Sequence, residues 1–283
     1  MECRDLPHVG GKPLIYYPLT AMIQTGLEDV AVVAPAPLQP ALNRLLGEGS
    51  GFGLSVTYIA QAADGDMAEA PSLARDFLRG MPSLLMPAHG IVSAARLGDM
   101  LSRASTRLRG AAVLTAQIAS GAAGTPVATD ALGKVMQLGR GPKGSQRTTE
   151  EFTGVALLDA RAPDFAEWLP DGRASMTDLL GLYQRSRALT ATSIGDGGTW
   201  FAVTTPREAE DATRFVAGLE RRRRGLFGSP ELAAFKAGRI GRRDLADAVE
   251  TWDDTPYGAA LADALERRRR PRGTRDALHV VAG

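Results

Sequence analysis

Lysine is scarce in this 283-residue chain: four of its 33 basic residues are lysine (Lys12, Lys134, Lys143, Lys236) and the other 29 are arginine. The bias is that of a GC-rich genome, an actinobacterial one for instance, and it restricts any chemistry that needs an ammonium group. Cysteine is scarcer still. Cys3 alone excludes an internal disulfide and removes any need for an oxidising compartment, so a cytoplasmic location is expected. No stretch reaches the roughly 18 uncharged apolar residues of a membrane span, and no apolar run precedes Lys12, so neither a membrane helix nor a secretory leader is expected. Net charge is also small, at +1, which excludes a polycation, while 44% hydrophobic residues exclude a disordered chain. With aromatics at 6%, no stacking platform interleaves the two arginine tetrads, Arg221–Arg224 and Arg267–Arg270. Each tetrad follows an apolar-periodic segment, where a helix C-terminus welcomes cations, and nucleic acid is not an expected partner.

What is present is alternation. Apolar strand-like runs at Val30–Ala34, Leu54–Ile59, Ser83–Met86, Ala111–Ala116, Phe152–Leu158 and Leu189–Ser193 are separated by helical patterns. Those helices are expected at Tyr17–Thr25, Leu38–Leu46, Met67–Leu78, Ala94–Ala104, Ala162–Trp168 and Met176–Arg187. Such alternation predicts βαβ units around a mostly parallel sheet, an α/β fold. The stretch Thr129–Lys134 reads as a turn joining short strands Val127–Thr129 and Val135–Leu138, a small antiparallel insertion. After Pro206 the pattern is helical only, at Pro206–Arg221, Pro230–Ala237, Gly241–Val249 and Tyr257–Arg268, with Pro206 and Pro230 at first-turn positions. The expected organisation is an α/β domain over 1–205, a helical region over 206–270 packed on it, and a tail over 271–283.

Three stretches carry a family likeness: Gly11-Lys-Pro-Leu-Ile-Tyr-Tyr-Pro-Leu19, Gly26-Leu-Glu-Asp-Val30 and Leu45-Leu-Gly-Glu-Gly-Ser-Gly-Phe-Gly53. They resemble the sugar-1-phosphate nucleotidylyltransferases, and among those the glucose-1-phosphate thymidylyltransferases of deoxysugar biosynthesis. The likeness continues through Phe152-Thr-Gly154, Trp200, Pro230–Gly238 and Pro256–Leu261. The resemblance implies a Rossmann-like nucleotidyltransferase fold with a small β insertion and a C-terminal helical region. It also implies a reaction in which a sugar-phosphate oxygen attacks the α-phosphate of a nucleoside triphosphate and pyrophosphate leaves. Such an enzyme contributes mainly positioning and charge neutralisation.

The groups that the resemblance assigns to that reaction are missing. The glycine-rich loop and its strand should precede the GKPLIYYPL segment, yet only Met1–Gly11 stand before Lys12, and Gly10-Gly11 is expected to be no more than a turn. The lysine of that region falls near Cys3. An aspartate that would hold magnesium is replaced by Ala88 in Leu85-Met-Pro-Ala-His89, and its companion by Ala202 in Trp200-Phe-Ala-Val-Thr204. The lysine against the sugar phosphate becomes Gly141, with Lys143 two residues on. The base-reading glutamine becomes Glu69, which cannot donate a hydrogen bond as an amide does, and two sugar-binding glutamates become Arg173 and Ser175.

These losses converge on one reaction. The expectation is a catalytically silent relative, with no magnesium or other cofactor, acting as an accessory, regulatory or scaffold subunit in nucleotide-sugar, deoxysugar or antibiotic biosynthesis. It would form a homo-oligomer, or a hetero-oligomer with an active paralogue, and could bind a sugar or nucleotide. The candidate ligand contacts are Glu69, His89, Lys143, Thr153, Gly154, Asp178 and Trp200. Two alternatives stay open: a repurposed enzyme in which His89 and Glu69 share acid–base work, and a conventional thymidylyltransferase with an altered site. His8, His279 and Cys3 are expected to carry no chemistry.

Overall fold

The computed structural model describes residues 6–117, 124–139, 150–170 and 175–267. Cys3, Gly141, Lys143, Arg173, His279 and the 271–283 tail lie outside the described residues. The chain opens with a tight hairpin, β1 (His8–Val9) and β2 (Lys12–Pro13), whose turn residues Gly10 and Gly11 have φ of +60° and +77°. Positive φ at both central positions is the type I′ geometry that suits a two-residue hairpin, so Gly10-Gly11 is a turn, as the sequence implies. Helix α1 (Tyr16–Thr25) follows and stops at Gly26, a left-handed C-cap. It leads into a parallel unit: β3 (Asp29–Pro35), α2 (Gln39–Leu46) and β4 (Ser55–Gln61), with Val32 opposite Tyr58.

The helix expected over Met67–Leu78 is broken into a 3₁₀ turn at Met67–Glu69 and two single-turn helices, α3 (Ala70–Leu73) and α4 (Arg75–Leu78). Pro71 sits in the first turn of α3 and Ala74 leaves the helical region at φ −91°, ψ 13°. Then come β5 (Ser83–Leu85), β6 (Gly90–Ser93) and α5 (Leu97–Thr106). The last starts three residues later than the pattern suggests, because Arg96 takes a left-handed conformation at φ 55°.

The second half is built on β7 (Ala111–Gln117), the hairpin β8 (Pro126–Thr129) and β9 (Val135–Leu138), and β10 (Glu150–Leu158). Helices α6 (Ala162–Glu167) and α7 (Met176–Arg185) and strands β11 (Leu189–Ser193) and β12 (Thr199–Ala202) complete the α/β body. The hairpin turn is held by Asp130, whose carboxylate accepts from the backbone N–H of Leu132 and Lys134 at 2.9 Å. Helix α7 begins with a reciprocal capping box, Ser175 with Asp178. Four helices follow: α8 (Pro206–Arg223), α9 (Pro230–Lys236), α10 (Arg242–Thr251) and α11 (Pro256–Arg267). The first arginine tetrad closes α8, with Arg224 as its left-handed cap, which is where the helix dipole favours it.

The main sheet has the order β11-β7-β10-β8-β9, with β5 on β10. It is mixed rather than mostly parallel. Strand β7 runs parallel to β11, but β10 is antiparallel to β7, β5 and β8. Between β7 and β10 the described chain holds the β8–β9 hairpin and no helix, so β10 returns in the opposite direction. Both faces of β7 and β10 are covered. Ala111, Val113, Ala156 and Leu158 face α6 and α7, while Ala112, Leu114, Val155 and Leu157 face α5. That two-sided burial explains the unbroken apolar runs in these strands. A separate cluster joins α1, β3 and α2 to Leu232, Leu245, Tyr257 and Leu261 of the C-terminal helices. Among the described residues no helix is long and apolar enough to cross a membrane.

Candidate functional site

After β5 the chain turns through Met86-Pro87-Ala88-His89, closed by a hydrogen bond from Gly90 N to Pro87 O of 3.0 Å, and enters β6. Strand β12 pairs with β6 in antiparallel register, Ala202 opposite Gly90, and Val203 N donates to His89 O at 2.9 Å. Ala202 and Ala88 therefore lie at the same end of this ladder, Ala88 two residues before the partner of Ala202. These are the two positions at which the family resemblance looks for aspartates, and each carries only a methyl group. A methyl group offers no oxygen to a hard cation. Among the described residues no three His, Cys, Asp or Glu side chains gather as a set that could hold a metal ion. The donor set does not fit a magnesium ion held by this pair of positions.

Beside this turn lies a bulge in β10. Phe152 faces Thr115 and Ala156 faces Val113, so Thr153, Gly154 and Val155 share one partner residue on β7. Thr153 is fully buried and its hydroxyl donates to Leu114 O at 3.0 Å. Gly154 has φ +85°, and a Cβ there would lie 2.8 Å from Pro87 Cγ. Both retained residues thus shape the strand against the Pro87–His89 turn.

At the start of β10 are two carboxylates that the sequence reading passed over. Glu150 accepts from Thr115 Oγ1 at 2.6 Å, and Glu151, 2% exposed, accepts from Trp200 Nε1 at 3.0 Å. The available signal was a Glu-Glu pair directly before the apolar run Phe152–Leu158. Burial pushes the Glu151 carboxyl up, and the indole N–H partly offsets this. Trp200 thereby has a partner on the neighbouring strand. The sign of the pH effect follows. The folded state holds the Glu151 proton more tightly than the unfolded chain, so stability falls as pH rises through the interval above the unfolded pKa of about 4.3. Glu151→Gln, which keeps an acceptor for Trp200, is expected to raise the melting temperature at pH 7 by about 2–4 °C, an effect of about 1 kcal/mol, and to be neutral at pH 4. Melting curves at the two pH values check this.

The remaining sequence-singled residues are dispersed. His89 borders an apolar slot with Gln61, Gly65 and Met67, and burial holds its imidazole below the usual range, the carboxylate of Glu208 acting against that shift. Glu69 ends the 3₁₀ turn, half-buried, with its backbone carbonyl accepting from Ser72 Oγ at 2.8 Å. Among the described residues no hydrogen bond or ion pair joins His89 to Glu69. Asp178 caps α7: its carboxylate accepts from Ser175 N at 2.9 Å, and those hydrogen bonds hold it below the usual carboxylate range. Gly154 lies against Pro87 of the Ala88–His89 turn, Thr153 stands beside it in the β10 bulge, and Trp200 is two residues from Ala202 on β12, bonded to Glu151.

A mixed sheet with an antiparallel insertion, helices on both faces and a cleft at the strand ends defines an α/β nucleotidyltransferase architecture. The family model for nucleotidyl transferases matches residues 4–217, and the chain belongs to that family. A glucose-1-phosphate thymidylyltransferase of Xanthomonas campestris pv. campestris is 29% identical over 268 residues, covering 94% of this chain and 90% of the relative. One from Mycolicibacterium smegmatis is 30% identical over 267 residues, covering 93% and 92% respectively. Among solved structures, a Bacillus anthracis protein in complex with sucrose aligns with a TM-score of 0.67 at 22% identity, over 74% of this chain and 85% of that one. The inositol-1-phosphate CTP transferase of T. maritima aligns with a TM-score of 0.60 at 12% identity, over 75% and 86%. These two share the fold.

Proposed function

We propose that this nucleotidyltransferase-like protein does not itself transfer nucleotidyl groups, and that it serves as an accessory, regulatory or scaffold subunit in nucleotide-sugar metabolism. The observation that carries the reading is that alanines, Ala88 and Ala202, stand at the same end of the β6–β12 ladder where the resembled enzymes have metal-binding aspartates. Transfer from a nucleoside triphosphate to a sugar 1-phosphate builds charge on phosphate oxygens, and a cation held by carboxylates is the usual means of neutralising it. Gly141 and Cys3 stand where the resembled enzymes use ammonium groups, so two cationic contributions are lost along with the metal ligands. In this reading the chain needs no cofactor, works in the cytoplasm, and assembles with itself or with an active paralogue. A sugar or nucleotide is then the ligand, with His89 and Trp200 among its expected contacts.

A second reading is an enzyme with an altered site. Similarity across 94% of the chain to a glucose-1-phosphate thymidylyltransferase favours it, as does a neutral His89, a form suited to accept a proton. The purified protein, given glucose 1-phosphate, dTTP or UTP and magnesium, separates the two. The silent reading expects no pyrophosphate beyond the background of protein-free controls, and sustained release overturns it.

A further inference from the structure

The ends of α8, α10 and α11 converge, and each carries arginine. Arg267, in the last described turn of α11, donates from Nη1 to Arg224 O at 3.2 Å, so it stands beside the tetrad that closes α8 although 43 residues separate the two. Arg242, the first residue of α10, donates from Nη1 to Leu265 O at 3.3 Å, in that same turn of α11. Arg221–Arg224, Arg242, Arg243 and Arg267 are all exposed. Part of the cluster is held in place: Asp263 accepts from Arg267 Nε at 3.0 Å, and Arg223 lies over the Phe227 ring, 5.8 Å from its centroid. Glu220, at the base of the tetrad, is spent on Lys12. Arg221, Arg222, Arg224 and Arg243 have no carboxylate partner among the described residues. The helix dipole accounts for only some of these positions. It favours cations at the C-terminus of α8, but Arg242 and Arg243 occupy the first two positions of α10, where a cation meets the positive end. Arg242 is used by Leu265 O. Arg243 stands at an unfavourable place with no bond among the described residues.

We propose that this arginine cluster is a docking surface for an acidic segment of a partner protein, a stretch rich in Asp and Glu. A carboxylate fits the fork of a guanidinium with paired hydrogen bonds, and neighbouring guanidiniums without counter-charges repel one another until such groups arrive. The surface also discriminates among anions. The last turn of α8 presents backbone carbonyls without a partner inside the helix, and the carboxylates of Asp244, Asp263 and Glu266 stand within or next to the cluster. A phosphate backbone carries negative charge at every unit and no donor, so it meets these oxygens as repulsion. A peptide brings carboxylates for the guanidiniums and amide N–H groups for the carbonyls, and its acidic side chains can be spaced to avoid the three carboxylates. The Phe227 ring is engaged by Arg223 and, at 5.6 Å, by Tyr17 rather than offered to a base. The inference gives an accessory subunit its contact surface but does not rest on that reading, because these residues lie outside the candidate site.

The test is fluorescence anisotropy of a labelled twelve-residue peptide, Asp and Glu alternating with Gly and Ser, titrated with the full chain. Its controls are the same peptide with Asn and Gln for the acids, and a single-stranded oligodeoxynucleotide of equal length. At about 50 mM salt the acidic peptide is expected to bind about tenfold or more tighter than either control, and to weaken severalfold at about 200 mM. Arg221→Gln, Arg222→Gln and Arg243→Gln together are expected to weaken it about tenfold, with the melting temperature little changed. Removing the same charge on and after α5, by Arg103→Gln, Arg107→Gln and Arg109→Gln, is expected to weaken it less than about twofold. If the cluster variant does not fold, Arg243→Gln alone, with an expected loss of about twofold to threefold, decides. Four results would overturn the proposal: no binding of the acidic peptide; equal binding of its amide control; tighter binding of the oligonucleotide, which makes the surface one for nucleic acid; or equal losses in the two triple variants, which marks attraction without a site.

Discussion

Glu220→Ala is expected to lower the free energy of unfolding by about 3–5 kcal/mol. Lys12, on β2, is buried with its side chain 1% exposed, and its ammonium sits 2.7 Å from Glu220 Oε1 on α8. The rings of Tyr17 and Tyr257 flank the ammonium at 5.6 and 5.4 Å. The same Glu220 oxygen accepts from Phe227 N at 2.9 Å, so one carboxylate ties the amino-terminal hairpin to the start of the C-terminal helices. Burial lowers the Lys12 pKa and Glu220 opposes that shift. Removing the carboxylate leaves a buried cation with only the more distant Glu231 for compensation. A buried base whose folded pKa is depressed binds fewer protons folded than unfolded, so the deficit of Glu220→Ala shrinks as pH rises. Lys12→Met, which removes the charge and keeps the bulk, is expected to cost under about 2 kcal/mol, and Lys12→Met with Glu220→Leu less than Glu220→Ala alone. Urea denaturation of the four proteins measures this. Equal and additive single effects would contradict it.

Gly154→Val is expected to cost about 2–5 kcal/mol and to disturb the Ala88–His89 turn. Two terms add. A side chain at φ +85° is strained by about 1–2 kcal/mol, and its Cβ would meet Pro87 Cγ at 2.8 Å and Cδ at 3.3 Å, a crowding worth about 1–3 kcal/mol. Gly26 separates them, because it has φ +95° with nothing within 4 Å of a Cβ. Gly26→Ala is thus expected to show strain alone, at about 1–2 kcal/mol. Gly154→Ala is expected to exceed it, with changed NMR shifts for the His89 ring. Equal costs for the two alanine variants would mean that Pro87 gives way freely and that the bulge does not position the turn.

Much of the fold is legible in the sequence where local signals decide it. Leu189–Ser193 is a strand over the span its apolar pattern suggests, and Asp130-Ala-Leu-Gly133 forms the hairpin turn. Pro206 and Pro230 begin helices because a first turn tolerates a residue without N–H. Strand direction is not local: the run Phe152–Leu158 is the same string whether β10 lies parallel or antiparallel to β7, and the connection decides. Strands β6 and β12 escape notice because Gly90 and Ser93 interrupt one and the other spans four residues. At the candidate site the identities Thr153, Gly154 and Asp178 are readable, but their work is not. A threonine spent on Leu114 O and an aspartate spent on a helix cap become visible only in three dimensions. Glu151 draws no notice in the sequence, and only its burial beside Trp200 and Gly124 marks it.

Steady-state pyrophosphate release decides whether this scaffold holds a working nucleotidyl-transfer centre. Purified protein with glucose 1-phosphate, dTTP or UTP and magnesium is expected to release no more pyrophosphate than protein-free controls over hours. Release of many equivalents per protein, proportional to protein concentration and abolished by chelating the magnesium, would contradict it.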